Sequence, residues 1–483
     1  MRDSDAAIRN GRIALILLLL VAAGLRFGSI DYALSFDEIA STVFARQPLS
    51  NLWSGWMVRE TNPPLFYTLL HVWIRIFGSS DVAVRALPAV IGLATIVVGY
   101  GAGRRLGGVW VGLSVAVLMA VSPEHILMSQ LARAYILAAL GVLIAVHGLI
   151  DLLRTRDMPV WPALARYAIG ALIALYSHTM LVLFVMLANV AVFGAIAMRW
   201  DAKRALLLPW IVTNAVVVLL WAWWGWITWQ QLGGGGSNIT WMTAPPLSDV
   251  YWDMRETWVP VDYGVAGRVA MAVIAVTFAY ALWQGRRRGR ILMLIGGAVA
   301  VPAILYAISL KVPVYSPRAI FWPGLLLTLG LGIAIASLPN PRWRLSALVL
   351  LVTASIVQHL AWLPDREAER FDDLAVALRA HPERPVLVQD ESVALAVDYY
   401  CGAACPLTIV TVDPTVQRDW FRGLSGARNI LPTQAAAFVA DRPFATVKRD
   451  NKDVEPLFAR DPRWTATRSK FGIGLYLAEW SRR

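Results

Sequence analysis

The chain has 483 residues, of which 58% are hydrophobic and 16% charged, against about 25% charged in soluble globular proteins. Its apolar residues gather in separate stretches of about 20, enough to cross a hydrocarbon core of about 30 Å, which excludes an ordinary soluble enzyme and indicates a polytopic α-helical membrane protein. The formal charge of +12 sits in short arginine clusters between apolar stretches, where it reports topology and not a nucleic-acid partner.

In chain order about eleven transmembrane helices are expected, centred near Leu18, Leu93, Val115, Val142, Leu172, Leu187, Val217, Ala275, Gly296, Leu329 and Leu350. The first follows a basic segment with no clean small-residue cleavage site, so it reads as an anchor. Alternate loops carry basic clusters: Arg104 and Arg105; Arg154, Arg156 and Arg166; Arg199, Lys203 and Arg204; Arg286, Arg287, Arg288 and Arg290; Arg342 and Arg344. Threading eleven spans puts all of them, with Arg2, Arg9 and Arg12, on one side, which the positive-inside rule makes cytoplasmic. The loops 29–82, 122–132, 230–264 and 311–318 then face the periplasm, as does everything after the last span.

From about Pro364 the composition turns polar. The expected organisation is a transmembrane domain over 1–362 and a small periplasmic α/β domain over 363–483. Within the latter, Pro385–Val388 and Leu407–Val412 read as short buried strands, separated by a helical segment, Val393–Tyr400. Cys401 and Cys405 are too few for a disulfide scaffold and have no nearby histidines for a zinc site. They either pair in an oxidising compartment or pack as small core residues. The four glycines Gly233–Gly236 read as a mobile flap or linker. They are no phosphate loop, because no strand precedes them and no Lys-Ser or Lys-Thr follows.

The chemistry-bearing residues concentrate in the outer loops. Asp37 and Glu38 stand together just beyond the first span, where a carboxylate is costly to desolvate and able to act as a general base. On that pair alone, a helix cap followed by a solvated first-turn acid is the simpler account. Leu49–Trp56 and Leu65–Phe77 have apolar and aromatic positions at helical spacing without the length to span, as interfacial helices do. Between them Asn62-Pro63-Pro64-Leu65 forms a rigid turn. Further on come Ser122-Pro123-Glu124-His125, then Ser129-Gln130-Leu131-Ala132-Arg133-Ala134-Tyr135, then Tyr176-Ser177-His178, and Tyr315-Ser316-Pro317-Arg318.

An Asp-Glu pair in a long first outer loop, x-Pro-Pro-Leu-x-Tyr at Asn62–Tyr67, Ser-Pro-x-His, Ser-Gln-x-Ala-Arg-x-Tyr and Tyr-Ser-His, in that order, resemble the bacterial protein O-mannosyltransferase-like glycosyltransferases of the GT-C superfamily. The resemblance is strongest from about Ser35 to Val190. It implies the GT-C fold and an inverting glycosyltransferase, hexosyl or pentosyl, that takes a sugar from a polyprenyl phosphate to an acceptor hydroxyl at the periplasmic face of the bacterial inner membrane. The acceptor is a lipid, glycan or protein of the cell envelope. By that likeness Asp37 is the catalytic base and Glu38 supports the acceptor or the geometry of Asp37. Arg133, Arg318 and Arg59 are expected to hold the donor phosphate, which suits the forked, permanently charged guanidinium. Asn62, Tyr135, His178, Gln130 and His125 are expected at the substrates. For His178 and His125 a structural hydrogen-bonding role is the commoner use of a lone interfacial histidine.

The chain also departs from its apparent relatives. Lipid A aminoarabinose transferases carry Glu-Lys before Pro-Pro-Leu, where this chain has Thr61 and Asn62, and Leu131 replaces a glutamate common in the later motif. The missing acid and lysine argue against aminoarabinose transfer, and no cofactor or divalent metal is firmly implied. A transporter or flippase for a lipid-linked saccharide is the alternative. Polar motifs held in outer loops, with no visible internal repeat, favour surface chemistry over translocation.

Overall fold

The computed structural model describes residues 4–154, 160–231, 243–259, 264–362, 369–410, 424–425, 427–450 and 452–483. The Gly233–Gly236 tract lies outside the described residues. The chain divides into two compact units: Met1–Ile30 with Trp53–Leu69 and Arg85–Leu363, and Asp31–Leu52 with Leu70–Val84 and Pro364–Arg483. Part of the first long loop is thus grouped with the C-terminal region.

The first unit is helical. A helix covers every expected span centre. Among the described residues nine helices are long and apolar enough to cross a membrane, and ten if Val109–Val121 and Pro123–Gln130 count as one bent span. The figure of about eleven is therefore not confirmed among the described residues. Val160–Leu175 has 16 residues, short of the roughly 20 a straight span needs. The segment expected as a short loop at 122–132 is instead mostly the Pro123–Gln130 helix, bent by 62° from the one before. Pro123 explains the break: it has no N–H to donate, and it holds Ser122 in an extended conformation at φ −61°, ψ 122°. Ser122 Oγ accepts the His125 N–H and restarts the helix.

Tyr135–Arg154 and Val160–Leu175 form a tight antiparallel hairpin. A Cβ at Gly170 would meet the Ala145 nitrogen at 2.3 Å, and one at Gly141 would meet the Ala174 nitrogen at 2.6 Å, so the absent side chains let the backbones touch. At one end of this hairpin the buried Asp151 pairs with Arg105 at 2.6 Å and also with Arg166. Tyr135 and His178 belong to the opposite end. Leu65–Phe77 is a 13-residue helix, while the expected helix at Leu49–Trp56 resolves into one turn, Leu49–Leu52, and a 3-10 turn from Gly55.

The second unit contains a six-stranded sheet with strands β1 (Val386–Val388), β2 (Leu407–Val410), β3 (Arg428–Ile430), β4 (Phe444–Arg449), β5 (Trp464–Lys470) and β6 (Leu475–Arg482). Their order is β3-β2-β1-β4-β6-β5. The first four are parallel, with Val386 opposite Leu407 and Ala445; β6 then runs antiparallel to β4 and β5. Strands β1 and β2 and the intervening helix, Glu391–Cys401, overlap the expected segments, and residues 411 and 412 of the expected second strand lie outside the described residues. That helix begins where Asp390 Oδ1 accepts the N–H groups of Ser392 and Val393. In a core of the sheet, Phe444 stacks on Trp480 at 5.6 Å, with Phe458 and Trp464 around them. Cys401 and Cys405 are joined as a disulfide at the end of the helix.

Candidate active site

The second unit carries the adjacent carboxylates on the helix Phe36–Ala45. Ser35 is its N-cap, and both the Ser35 N–H and Oγ–H donate to Glu38 Oε2 at 3.0 Å. This capping box satisfies a carboxylate that is only 1% exposed. Asp37 is half-buried in the first turn of the helix. Two neighbours in sequence thus have different surroundings, and Glu38 is engaged by the backbone of its own helix.

The remaining site residues lie in the first unit. The prolines of the Asn62-Pro63-Pro64 turn have no N–H, so the first donor after them is Leu65, which bonds the Tyr176 carbonyl at 3.2 Å. Thr179 Oγ1 donates to the Thr61 carbonyl at 3.1 Å. These bonds hold the Pro-Pro turn against the Tyr-Ser-His segment. Asn62 donates through its N–H at 3.0 Å and its Nδ2 at 2.8 Å to Glu60 Oε1, which the Tyr67 hydroxyl also reaches at 3.2 Å. Glu60 is 4% exposed. Nothing in the sequence marks it, since it stands between an arginine and a threonine in a loop, and only the fold makes it a buried acceptor.

The Arg133 charge acts on both Tyr67 and His178. Tyr135, His178, Arg318, Phe321 and Trp322 line one cavity. The Tyr135 and His178 rings lie 5.7 Å apart, and the Arg318 guanidinium sits 6.0 Å from the Tyr135 ring centre. His178 Nδ1 accepts the Met180 N–H at 3.2 Å, so the ring proton resides on Nε2. Burial, with the Arg133 charge adding to it, pushes the His178 pKa down to about 4. The ring is therefore neutral near pH 7 and able to donate through Nε2. The sequence-selected Asn62, Arg133, Tyr135, His178 and Arg318 are all members of this unit. The Arg59 side chain lies outside the described residues.

His125 and Gln130 belong to a different network. Arg26, fully buried, places Nη2 2.8 Å from His125 Nδ1 and donates from Nε to Ser129 Oγ at 3.2 Å. Gln130 Nε2 donates to the Arg26 carbonyl at 3.0 Å. Neither residue lines the Tyr135 and Arg318 cavity; both tie the first helix to the bent pair. Arg26 itself looks in sequence like one more basic residue ending a span, and its burial arises from tertiary packing. Among the described residues no three His, Cys, Asp or Glu side chains gather as metal ligands.

No protein-family model matches the chain, and no curated protein matches it in sequence. In fold it is similar to ArnT from Cupriavidus metallidurans. The apo crystal structure aligns with a TM-score of 0.68 at 12% identity, over 96% of this chain and 97% of that one. The crystal structure of the same protein bound to undecaprenyl phosphate aligns with a TM-score of 0.66 at 13% identity over the same shares. The apo oligosaccharyltransferase of Archaeoglobus fulgidus aligns with a TM-score of 0.50 at 10% identity, over 82% of this chain and 64% of that one. The many-helix unit, the small C-terminal sheet and the end-to-end alignment show that this chain shares the fold of ArnT from Cupriavidus metallidurans.

Proposed function

We propose that this protein is an inverting glycosyltransferase that moves a sugar from a polyprenyl phosphate to an acceptor hydroxyl at the periplasmic membrane boundary. The observation that carries the reading is the cavity shared by Tyr135, His178 and Arg318 within reach of the Arg133 charge, in a fold whose relative in Cupriavidus metallidurans binds undecaprenyl phosphate. Two arginines and a neutral histidine donor suit a phosphate that gains charge as it leaves.

In the proposed reaction the Asp37 carboxylate takes the proton of the acceptor hydroxyl. The acceptor oxygen bonds the anomeric carbon from the face opposite the phosphate, the bond from that carbon to the phosphate oxygen breaks, and configuration inverts. The electron pair departs with the polyprenyl phosphate, whose charge Arg133 and Arg318 stabilise. Orientation is supported by the Asp151 cluster, which gathers Arg105 and Arg166 at the hairpin end opposite Tyr135 and His178; arginines favour the cytoplasmic side.

The test uses purified full-length protein in lipid nanodiscs. Release of undecaprenyl phosphate from undecaprenyl-phosphate hexose and pentose is followed in the presence of cell-envelope extract. Asp37→Asn is expected to abolish release while undecaprenyl phosphate still binds. Near-normal turnover by that variant would refute the assignment.

A further inference from the structure

A helix leaves its first N–H groups without intrahelical partners, and the residues leading into it have none to offer. On the approach to Phe36–Ala45 those donors are met by distant parts of the second unit. The Leu34 N–H donates to the Tyr400 hydroxyl at 2.7 Å, and that hydroxyl donates in turn to Asp81 Oδ2 at 2.9 Å. The Phe36 N–H donates to Glu369 Oε2 at 3.2 Å, while Arg449 holds the other oxygen, Glu369 Oε1. The Arg449 guanidinium also lies 4.8 Å from the centre of the Phe36 ring.

The far end of the same helix is held as well. The Arg46 guanidinium bonds Ser79 Oγ at 3.0 Å and lies 4.8 Å from the Tyr399 ring centre, and the Tyr399 hydroxyl donates to the Ser79 carbonyl at 3.3 Å. Residues separated from the helix by more than 300 positions therefore fix its approach and its exit. Backbone N–H groups with a fixed hydroxyl or carboxylate acceptor are held more firmly than ones left to water, and a catalytic group displaced by about 1 Å can lose about a hundredfold in rate.

We infer that Glu369, Tyr400 and Arg449 are positioning residues for the Asp37 carboxylate: the C-terminal α/β region sets the geometry of the catalytic helix. This rests on the reading of Asp37 as the base. The C-terminal region is then part of the catalytic apparatus, acting through the backbone at Leu34 and Phe36 and not through contact with substrate.

Full-length Tyr400→Phe, Glu369→Ala and Glu369→Gln variants in nanodiscs test this by two independent readouts. Hydrogen exchange of the peptide covering 31–40 reports the Leu34 and Phe36 amides directly. Tyr400→Phe and Glu369→Ala are expected to raise that exchange and to lower kcat about tenfold, with the KM for undecaprenyl-phosphate sugar within about twofold of wild type. Glu369→Gln, which keeps an acceptor for the Phe36 N–H, is expected to recover most of both. Raised exchange with wild-type kcat overturns the inference, as does unchanged exchange in both Tyr400→Phe and Glu369→Ala. Asp37→Asn, run alongside, separates the two failures. Retained turnover in that variant removes the base, and the positioning role with it, while its 31–40 exchange stays at the wild-type level.

Discussion

His178 accepts the Met180 N–H at Nδ1, 3.2 Å away, and this bond leaves Nε2 as the N–H donor of the ring. Asn at 178 can keep the acceptor toward Met180 but has no equivalent of Nε2–H, whereas Gln places an amide near the Nε2 position. His178→Asn is expected to weaken undecaprenyl phosphate binding about tenfold, the worth of one hydrogen bond, and His178→Gln less, as measured by titration in nanodiscs.

The same histidine gives a sign to the pH dependence of stability. Its folded pKa of about 4 lies below the unfolded value of about 6.5, so between these pH values the unfolded chain binds more protons. The contribution is fully present above about pH 6.5 and is lost as pH falls toward 4. Thermal melts are expected to show a shallower loss between pH 7 and pH 4.5 in His178→Gln than in wild type.

Arg133 acts on His178 and Tyr67 through its charge. Arg133→Ala is expected to cut donor-lipid affinity about ten- to a hundredfold, the range of a charge-assisted hydrogen bond, with acceptor KM little changed. Arg133→Lys restores the charge without the fork, so recovery is expected to be partial. Equal affinity for undecaprenyl phosphate in wild type and Arg133→Ala would remove this residue from the phosphate site.

Glu60 is the hub of the Pro-Pro turn. Glu60→Ala leaves the Asn62 and Tyr67 donors buried without it, at a cost of about 2 kcal/mol. A melting temperature equal to wild type would contradict this.

Glu38 offers the complementary case. Gln at the same position can still accept from Ser35 in a capping box, so Glu38→Gln is expected to keep both stability and turnover. Glu38→Ala is expected to lose about 1 kcal/mol. A collapse of turnover in Glu38→Gln, with stability intact, would give Glu38 a chemical role of its own.

The membrane helices were legible because each is a long apolar run whose centre survives any error at its ends. The bend at Ser122-Pro123 was harder to read, since a proline after a serine signals a loop as readily as the restart of a helix. In the C-terminal region, β1 and β2 are buried throughout and their composition says so. Strand β5 is mostly exposed and reads Trp-Thr-Ala-Thr-Arg-Ser-Lys, with no apolar alternation to reveal it. Arg133, Tyr135 and His178 stood out because their motifs come in a fixed order. Glu60 and Arg26 did not, because a buried charge is defined by partners that only tertiary structure supplies. His125 and Gln130 sit inside a legible motif, yet their packing against Arg26 depends on where the first helix docks.

Between Tyr135–Arg154 and Val160–Leu175, main chain meets main chain at Gly141 and Gly170. The two arms of this hairpin behave like the jaws of a locked caliper, carrying Tyr135 and His178 at their tips. When the bilayer thickens or thins, a helix answers by tilting. Arms in backbone contact are expected to lean as one piece, so that their tips keep one spacing from one membrane composition to another.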